Sequence, residues 1–119
     1  MAGVSETLSK FSELDGYLGS CVADSNSGMM LGSDGGGLNL EVAAAGNTEV
    51  VRAKLKTMKA LGLQDAIEDI LITLGRQYHI IRPLSSNPAV FVYCVLDKKG
   101  NLGMARLKLA SVEKEIIVG

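Results

Sequence analysis

Few side chains in this sequence have the chemistry of a catalyst, and His79 is the first of them. It is the single histidine of the chain, and it lies between Tyr78 and Ile80 on a predicted strand. A lone strand histidine is more often a hydrogen-bonded structural residue than a general base, because acid–base catalysis also needs a positioned partner. Glu68 and Asp69 are adjacent on another predicted strand, where their carboxylates face opposite sides. We therefore predict no catalytic residue.

The run Gly35-Gly36-Gly37 is a candidate phosphate-binding loop. A P-loop places a lysine and a hydroxyl residue after its glycines, whereas this chain continues with Leu38-Asn39-Leu40. The run is therefore interpreted as a flexible connector. Arg76 falls in a predicted turn, and we interpret it as a solvated side chain rather than one that contacts a nucleotide. A Gly-x-Ser-x-Gly nucleophile motif is absent from the sequence. These observations predict no cofactor and no enzyme.

The composition argues against several other classes of ligand. Two cysteines and one histidine are too few for a four-ligand zinc site of Cys and His within one chain. Twelve basic and thirteen acidic residues give a net charge of -1, so the chain has no overall positive field for nucleic acid or anionic lipid. Aromatic residues make up 4% of the chain, which disfavours a base-stacking platform. We predict no metal and no nucleic-acid partner.

The compartment expected from the sequence is the cytoplasm. The first residues lack the basic and apolar regions of a signal peptide. The longest apolar run, residues 89–96, is much shorter than the ~20 residues that span a bilayer, so no membrane insertion is expected. In a reducing compartment Cys21 and Cys94 should remain thiols. Because both lie in apolar segments, we predict that both are buried.

The spacing of the apolar residues predicts a single domain over residues 1–119. Spacings of three and four residues indicate helices, and alternation indicates strands. In chain order the predicted elements are a helix over residues 4–14, strands over 18–24 and 29–32, a helix over 40–61, strands over 66–74, 78–83 and 89–96, and a helix over 102–116. Tight links between the last three strands require antiparallel pairing. This order favours an α/β (α+β) fold, a three-layer α/β/α sandwich.

Gly46 is the unusual residue of the predicted long helix, where it follows Ala43-Ala44-Ala45. A glycine inside a helix costs ~1 kcal/mol relative to alanine. Two explanations remain open at this point. The helix begins later with Asn47 as its N-cap, or the small residues allow a second backbone to approach closely.

Several segments together resemble the roadblock domain of dynein light chains, Ragulator subunits and bacterial proteins. The resemblance covers nearly the whole chain and rests on packing residues rather than on catalytic ones. The segments are Ala44-Ala45-Gly46-Asn47, Glu68-Asp69-Ile70-Leu71-Ile72, Tyr78-His79-Ile80-Ile81-Arg82-Pro83-Leu84 and Asn101-Leu102-Gly103-Met104-Ala105-Arg106-Leu107-Lys108-Leu109. The last of these is similar to a bacterial subgroup in particular.

The resemblance implies a roadblock/profilin-like fold, with a five-stranded antiparallel sheet in the order 2-1-5-4-3. Strand five is then central, which agrees with the apolar character of residues 89–96 on both faces. With strand one beside strand five, the thiols of Cys21 and Cys94 are expected to be close. Members of the family usually form homodimers through their third strands and long helices. They bind partners, especially small Ras-like GTPases.

The predicted function is a non-enzymatic homodimeric interaction module, a scaffold or regulator of a small Ras-like GTPase. Left unpaired, Ile70-Leu71-Ile72 would be a hydrophobic edge strand, which is an aggregation hazard. The predicted dimer interface consists of Ala43, Ala44, Gly46, Val50, Ile70 and Ile72. A small-molecule-binding sensor is the alternative. Against it, only Tyr93 and Cys94 offer polar atoms within the central strand.

Overall fold

The computed structural model describes residues 3–118, and its elements follow the predicted order. The elements are helix α1 (Val4–Leu8), a 3-10 helix (Ser9–Glu13), strands β1 (Tyr17–Asp24) and β2 (Met30–Asp34), helix α2 (Leu40–Ala60), strands β3 (Ile70–Thr73), β4 (Gln77–Pro83) and β5 (Val90–Asp97), and helix α3 (Leu102–Glu113). The predicted first helix is therefore split into a short α-helix and a 3-10 helix.

The strands form one sheet of five in the order β2-β1-β5-β4-β3, and all neighbouring pairs are antiparallel. β5 lies in the centre, between β1 and β4, and seven of its residues are buried. A strand that is covered on both faces must be apolar on both. The sheet order and the central place of β5 confirm the prediction.

Two hydrophobic clusters, one on each face of the sheet, establish the three layers. On the first face α1, the 3-10 helix and α3 contribute side chains such as Leu8, Phe11 and Leu109. On the second face α2 contributes Ala44 and Val51. Alternate residues of each strand supply the two clusters, as the pleat of a strand requires.

Helix α2 is continuous from Leu40 to Ala60 and passes through Gly46 without a break. Its N-cap is Asn39, whose Oδ1 accepts a hydrogen bond from the Val42 N–H at 3.2 Å. This side-chain acceptor satisfies one of the N–H groups that have no partner within the helix. The explanation in which the helix begins after Asn47 is therefore wrong.

Strand β3 begins four residues later than predicted, at Ile70 instead of Ala66. Residues 63–69 have no regular secondary structure, and the two carboxylate oxygens of Asp69 accept hydrogen bonds from Arg106 of α3 at 3.0 and 3.2 Å. Glu68 and Asp69 are therefore not strand residues, and the prediction that they are was wrong. Arginine–carboxylate pairs of this bidentate kind are among the stronger charged contacts.

Cys21 and Cys94 are both buried free thiols, yet they lie on opposite faces of the sheet. Cys21 is opposite Tyr93 in the β1–β5 pairing, and Cys94 is opposite Ser20. A shift of one residue along a strand moves a side chain to the other face. The expectation that the two thiols are close is therefore wrong. Burial raises the pKa of both thiols to about 12.

Within residues 3–118, none of the helices combines the length and the apolar character needed to cross a membrane.

Candidate functional site

The imidazole of His79 is fixed by hydrogen bonds at both of its nitrogens. Nε2 lies 2.8 Å from Gln77 Oε1, and Nδ1 lies 2.8 Å from the Tyr93 hydroxyl. An amide oxygen only accepts, so Nε2 carries the proton and Nδ1 accepts from Tyr93. Burial lowers the pKa of His79, which favours this neutral form. Both ring nitrogens are therefore engaged by side chains of the same sheet.

The other side chains considered as catalytic candidates do not lie together in one site. Asp69 is paired with Arg106, and the side chain of Glu68 is exposed beside it. Arg76 is exposed in the bend between β3 and β4. Within the described part of the chain, no group of three or more His, Cys, Asp or Glu side chains is placed to hold a metal ion.

The two edges of the sheet differ in how they are covered. At the β2 edge, α1 packs against Gly32 so closely that a Cβ atom there would lie 2.5 Å from Val4 Cγ1. In addition, the Ser33 N–H donates to Ser5 Oγ at 3.4 Å. A helix laid over an edge is one of the ways in which proteins prevent unwanted strand pairing. At the β2 edge α1 therefore packs on Gly32 and engages the Ser33 N–H.

The β3 edge has no comparable cover among residues 3–118. β3 pairs with β4 alone, with Ile70 opposite Ile81 and Ile72 opposite His79. Ile70 and Ile72 point to the α2 side of the sheet, and both are only half-buried. Exposed apolar edge strands are templates for pairing with another chain. β3 is thus the edge available for an interaction.

The sheet face beside this edge is also incompletely covered. Helix α2 packs mainly over β1 and β2, which leaves the α2-side face of β3 and β4 partly open. A cavity of about 580 Å³ lies between α2 and the chain that leads into β3, with Val50, Met58 and Ile70 among its walls. The bare edge and this cavity together form one groove, which we call the β3 groove.

The predicted interface residues lie in three different environments. Val50 and Ile70 line the β3 groove, and Ile72 and Ala43 are half-buried on the same side of the sheet. Ala44 is fully buried against the chain's own sheet, so its methyl group is not available at the surface. Gly46 is exposed, and apart from the adjacent backbone of α2 no described atom lies within 4 Å of the place where its Cβ would be. That position has room for a second backbone.

The exposed side of α2 has an uneven distribution of charge. Its first half contains the acidic residues Glu41 and Glu49, and its second half contains the basic residues Arg52, Lys54, Lys56 and Lys59, all exposed. This distribution complements the helix dipole. It also means that two copies of α2 packed antiparallel would place opposite charges against each other.

Sequence reasoning missed a buried ionic contact at the far end of the sheet. The side chain of Glu113 is 2% exposed, and its carboxylate accepts hydrogen bonds from the Ser85 N–H at 3.0 Å and from Ser85 Oγ at 2.9 Å. Arg82 Nε lies 3.9 Å from Glu113 Oε2. These residues come from α3, the loop after β4 and β4 itself. Because their contact is made only by the tertiary fold, no spacing in the sequence indicates it.

Known proteins match this chain in structure, but none matches it in sequence. No protein-family model matches the chain, and no curated protein matches it in sequence. Solved structures of bacterial proteins do match it over most of its length.

MglB of Myxococcus xanthus superposes with a TM-score of 0.76 at 18% identity, covering 94% of this chain and 87% of that protein. A Roadblock/LC7 domain from Streptomyces avermitilis gives a TM-score of 0.84 at 9% identity, covering 96% of this chain and 94% of that domain. The gliding protein MglB of Thermus thermophilus gives 0.72 at 17% identity, covering 94% and 89%. At such low identities the likeness establishes a shared fold, and a fold by itself does not establish a function.

Proposed function

We propose that this chain, which has the roadblock fold, is a non-enzymatic homodimeric interaction module that scaffolds or regulates a small Ras-like GTPase. The observation that carries the dimer is the difference between the two sheet edges. β2 is covered by α1 through Val4 and Ser5, whereas β3 is bare and borders an open groove. A second copy of β3 would satisfy the unpaired backbone groups of this edge.

In the proposed dimer, the two β3 strands pair antiparallel across a two-fold axis, so that the same surface is used by both protomers. Each α2 then lies beside the β3 groove of its partner. Gly46 provides space where the two helices approach, and the acidic first half of one α2 faces the basic second half of the other. Val50, Ile70 and Ile72 supply the apolar contact.

The GTPase part of the proposal is supported by the resemblance of the sequence to roadblock domains. The fold likeness to two MglB proteins, one of them described as a gliding protein, is in agreement with it. We place the protein in the cytoplasm, where such a GTPase would be available.

Sedimentation velocity of the purified protein at micromolar concentration tests the dimer. We expect the wild type to sediment as a dimer and Ile70→Lys to sediment as a monomer, because the new charge would be buried at the interface. Leu107→Lys on the outer face of α3, where the leucine is 68% exposed, is the matched control and should remain dimeric. A monomeric wild type, or equal masses for all three proteins, would refute the proposed dimer.

Affinity capture from native lysate tests the partner. The tagged wild type should retain a small GTPase that mass spectrometry identifies, and the Ile70→Lys variant should retain less of it if the dimer forms the binding surface. Leu107→Lys again serves as the control for a change of surface charge. Binding that is the same for wild type and Ile70→Lys would separate GTPase recognition from dimerisation.

A further inference from the structure

The segment that leads into β3, residues 64–69, has no strand partner in the protomer. It makes no backbone-to-backbone hydrogen bond with any of residues 3–118, although the alternation of its apolar residues predicts a strand. In the register of β3 and β4, the position opposite Glu68 is Pro83. β4 ends at this proline, which has no N–H to donate. The segment therefore lacks a neighbouring strand on its β4 side.

The side chains just before β3 already follow the alternation of a strand. Within β3, Ile70 packs on the α2 side of the sheet and Leu71 on the α3 side. Asp69 points to the α3 side, because its carboxylate accepts hydrogen bonds from Arg106 of α3. Two cavities, of about 580 and 760 Å³, border residues 65–68, so this part of the chain has room to move into line with β3. What the segment lacks is a backbone partner.

The backbone groups of β3 that face away from β4 belong to every second residue. The Leu74 N–H donates to the carbonyl oxygen of Gln77 at 2.8 Å, so these two opposite residues form a hydrogen-bonded pair. Hydrogen-bonded and non-hydrogen-bonded pairs alternate along an antiparallel ladder. The odd-numbered residues of β3 therefore direct their N–H and C=O groups outward, and a strand extended backward adds two more such residues. These four outward residues are Ile67, Asp69, Leu71 and Thr73.

We propose that residues 67–69 become part of β3 when a second copy of this chain binds, with Ile70 placed opposite the partner's Ile70. The inference rests on the dimer proposed above and specifies its strand pairing. Every outward residue of one copy then faces an outward residue of the other, Ile67 facing Thr73 and Asp69 facing Leu71. Pairing of β3 alone would satisfy half as many outward residues.

Other two-fold registers use this surface less well. Pairing of β3 alone centres on Ile72 and engages only two of the four outward residues. A register centred on Leu71 leaves Ile67 beyond the end of the partner's strand. A register centred on Asp69 sets two carboxylates opposite each other, and like charges directly opposite are destabilising. The register centred on Ile70 avoids all three defects and brings two half-buried apolar side chains together.

Two variants of the intact protein, Ile70→Cys and Ile72→Cys, test the register. They are matched, because both isoleucines are half-buried and lie on the same face of β3. Opposite residues of a non-hydrogen-bonded pair have Cα atoms about 4.5 Å apart, which suits a disulfide. In the proposed register the two copies of residue 72 are four residues apart along the strands, or about 13 Å, which is too far.

With diamide as the oxidant, Ile70→Cys should form a disulfide-linked dimer at least about tenfold faster than Ile72→Cys, as non-reducing electrophoresis will show. The wild type should form none, because Cys21 and Cys94 are buried. Faster linking through Ile72→Cys, or equal linking of the two variants, would overturn the proposed register and leave the dimer standing. A wild type that sediments as a monomer would overturn the dimer and the register together.

Amide hydrogen exchange tests the extension of β3 without new cysteines, by comparing the wild-type dimer with the monomeric Ile70→Lys variant. Exchange at Ile67 and Asp69 should be at least about tenfold slower in the dimer, because their N–H groups are then hydrogen-bonded. The Leu63 N–H donates to the Met58 carbonyl oxygen at 2.9 Å within the protomer and is the control that should change little. A wild-type dimer in which the Ile67 and Asp69 amides exchange as fast as in the monomer would refute the extension.

Discussion

Gly32 of β2 lies directly beneath Val4 of α1, with no space between them for a side chain. A Cβ atom at position 32 would lie 2.5 Å from Val4 Cγ1 and 2.8 Å from Val4 Cβ. The close approach brings Ser5 to the strand edge, where its Oγ accepts from the Ser33 N–H. One glycine therefore allows α1 to pack closely against β2, and the proposed dimer uses the opposite edge, β3.

Gly32→Ala should displace α1 and destabilise the protein by about 1–3 kcal/mol, because the added methyl group overpacks the contact with Val4. Gly36→Ala is the matched control, since no described atom lies within 4 Å of a Cβ at that position. Urea unfolding gives both free energies, and hydrogen exchange at Ser33 reports on the covered edge. Equal stability of the two variants would contradict the role assigned to Gly32.

Tyr93→Phe should raise the pKa of His79, which burial lowers in the wild type. The Tyr93 hydroxyl donates to Nδ1, and this bond stabilises the neutral ring, so its loss favours the protonated form. The variant should also lose about 1 kcal/mol of stability. Because His79 is the single histidine, its ring resonances are assigned without ambiguity in an NMR titration. A wild-type His79 that titrates at the ordinary value would contradict the account.

The lowered pKa of His79 also predicts how the free energy of unfolding changes with pH. The folded state holds the ring neutral, whereas the unfolded chain takes up a proton below about the ordinary value of 6.5. His79 therefore contributes stability above that pH, and the contribution is lost as the pH falls through it. The unfolding free energy of His79→Gln should depend less on pH between neutrality and mild acid than that of the wild type. If the unfolding free energies of the wild type and of His79→Gln changed equally with pH, His79 would make no such contribution.

The two buried thiols predict that the free energy of unfolding falls as the pH rises in the alkaline range. Burial raises the pKa of Cys21 and Cys94 from 9.0 to about 12, so the folded state keeps both protonated. The unfolded chain loses these protons from about the ordinary value upward, and stability falls as the pH rises toward about 12. The double variant Cys21→Ala, Cys94→Ala should show a shallower decrease.

Alkylation provides a direct check on the same thiols. In the native protein neither should react rapidly, and after denaturation both should react, as intact mass will show. Rapid native labelling of either cysteine would contradict its burial.

The sequence predicted best those features that depend on one strand or helix alone. Residues 89–96 are apolar on both faces of the strand, so the central place of β5 was predictable. Helix α2 was predictable from its apolar spacing, although the effect of Gly46 was not. Propensity leaves the two explanations for that glycine open, and the Asn39 cap excludes the one in which the helix begins at Asn47.

The features that sequence reasoning missed depend on contacts between distant elements. Asp69, immediately before β3, pairs with Arg106 of α3, a contact between residues far apart in the sequence. The opposite faces of Cys21 and Cys94 follow from the β1–β5 register, which the sequence of either strand leaves undetermined. Likewise, Ala44 was assigned to the interface from its small size, whereas the rotation of α2 buries it against the sheet.

The mass of the wild type and of Gly46→Leu, measured by sedimentation at micromolar concentration, tests the proposed dimer most directly. A leucine at position 46 fits the isolated protomer, because apart from the adjacent backbone of α2 no described atom lies within 4 Å of its Cβ position. In the monomer it should raise helix stability by up to ~1 kcal/mol, whereas between two α2 helices it should cost about 1–3 kcal/mol by overpacking. We predict a dimeric wild type and a Gly46→Leu variant that dissociates while its protomer remains folded. A monomeric wild type, or a dimer that is unchanged by both Gly46→Leu and Ile70→Lys, would contradict the account.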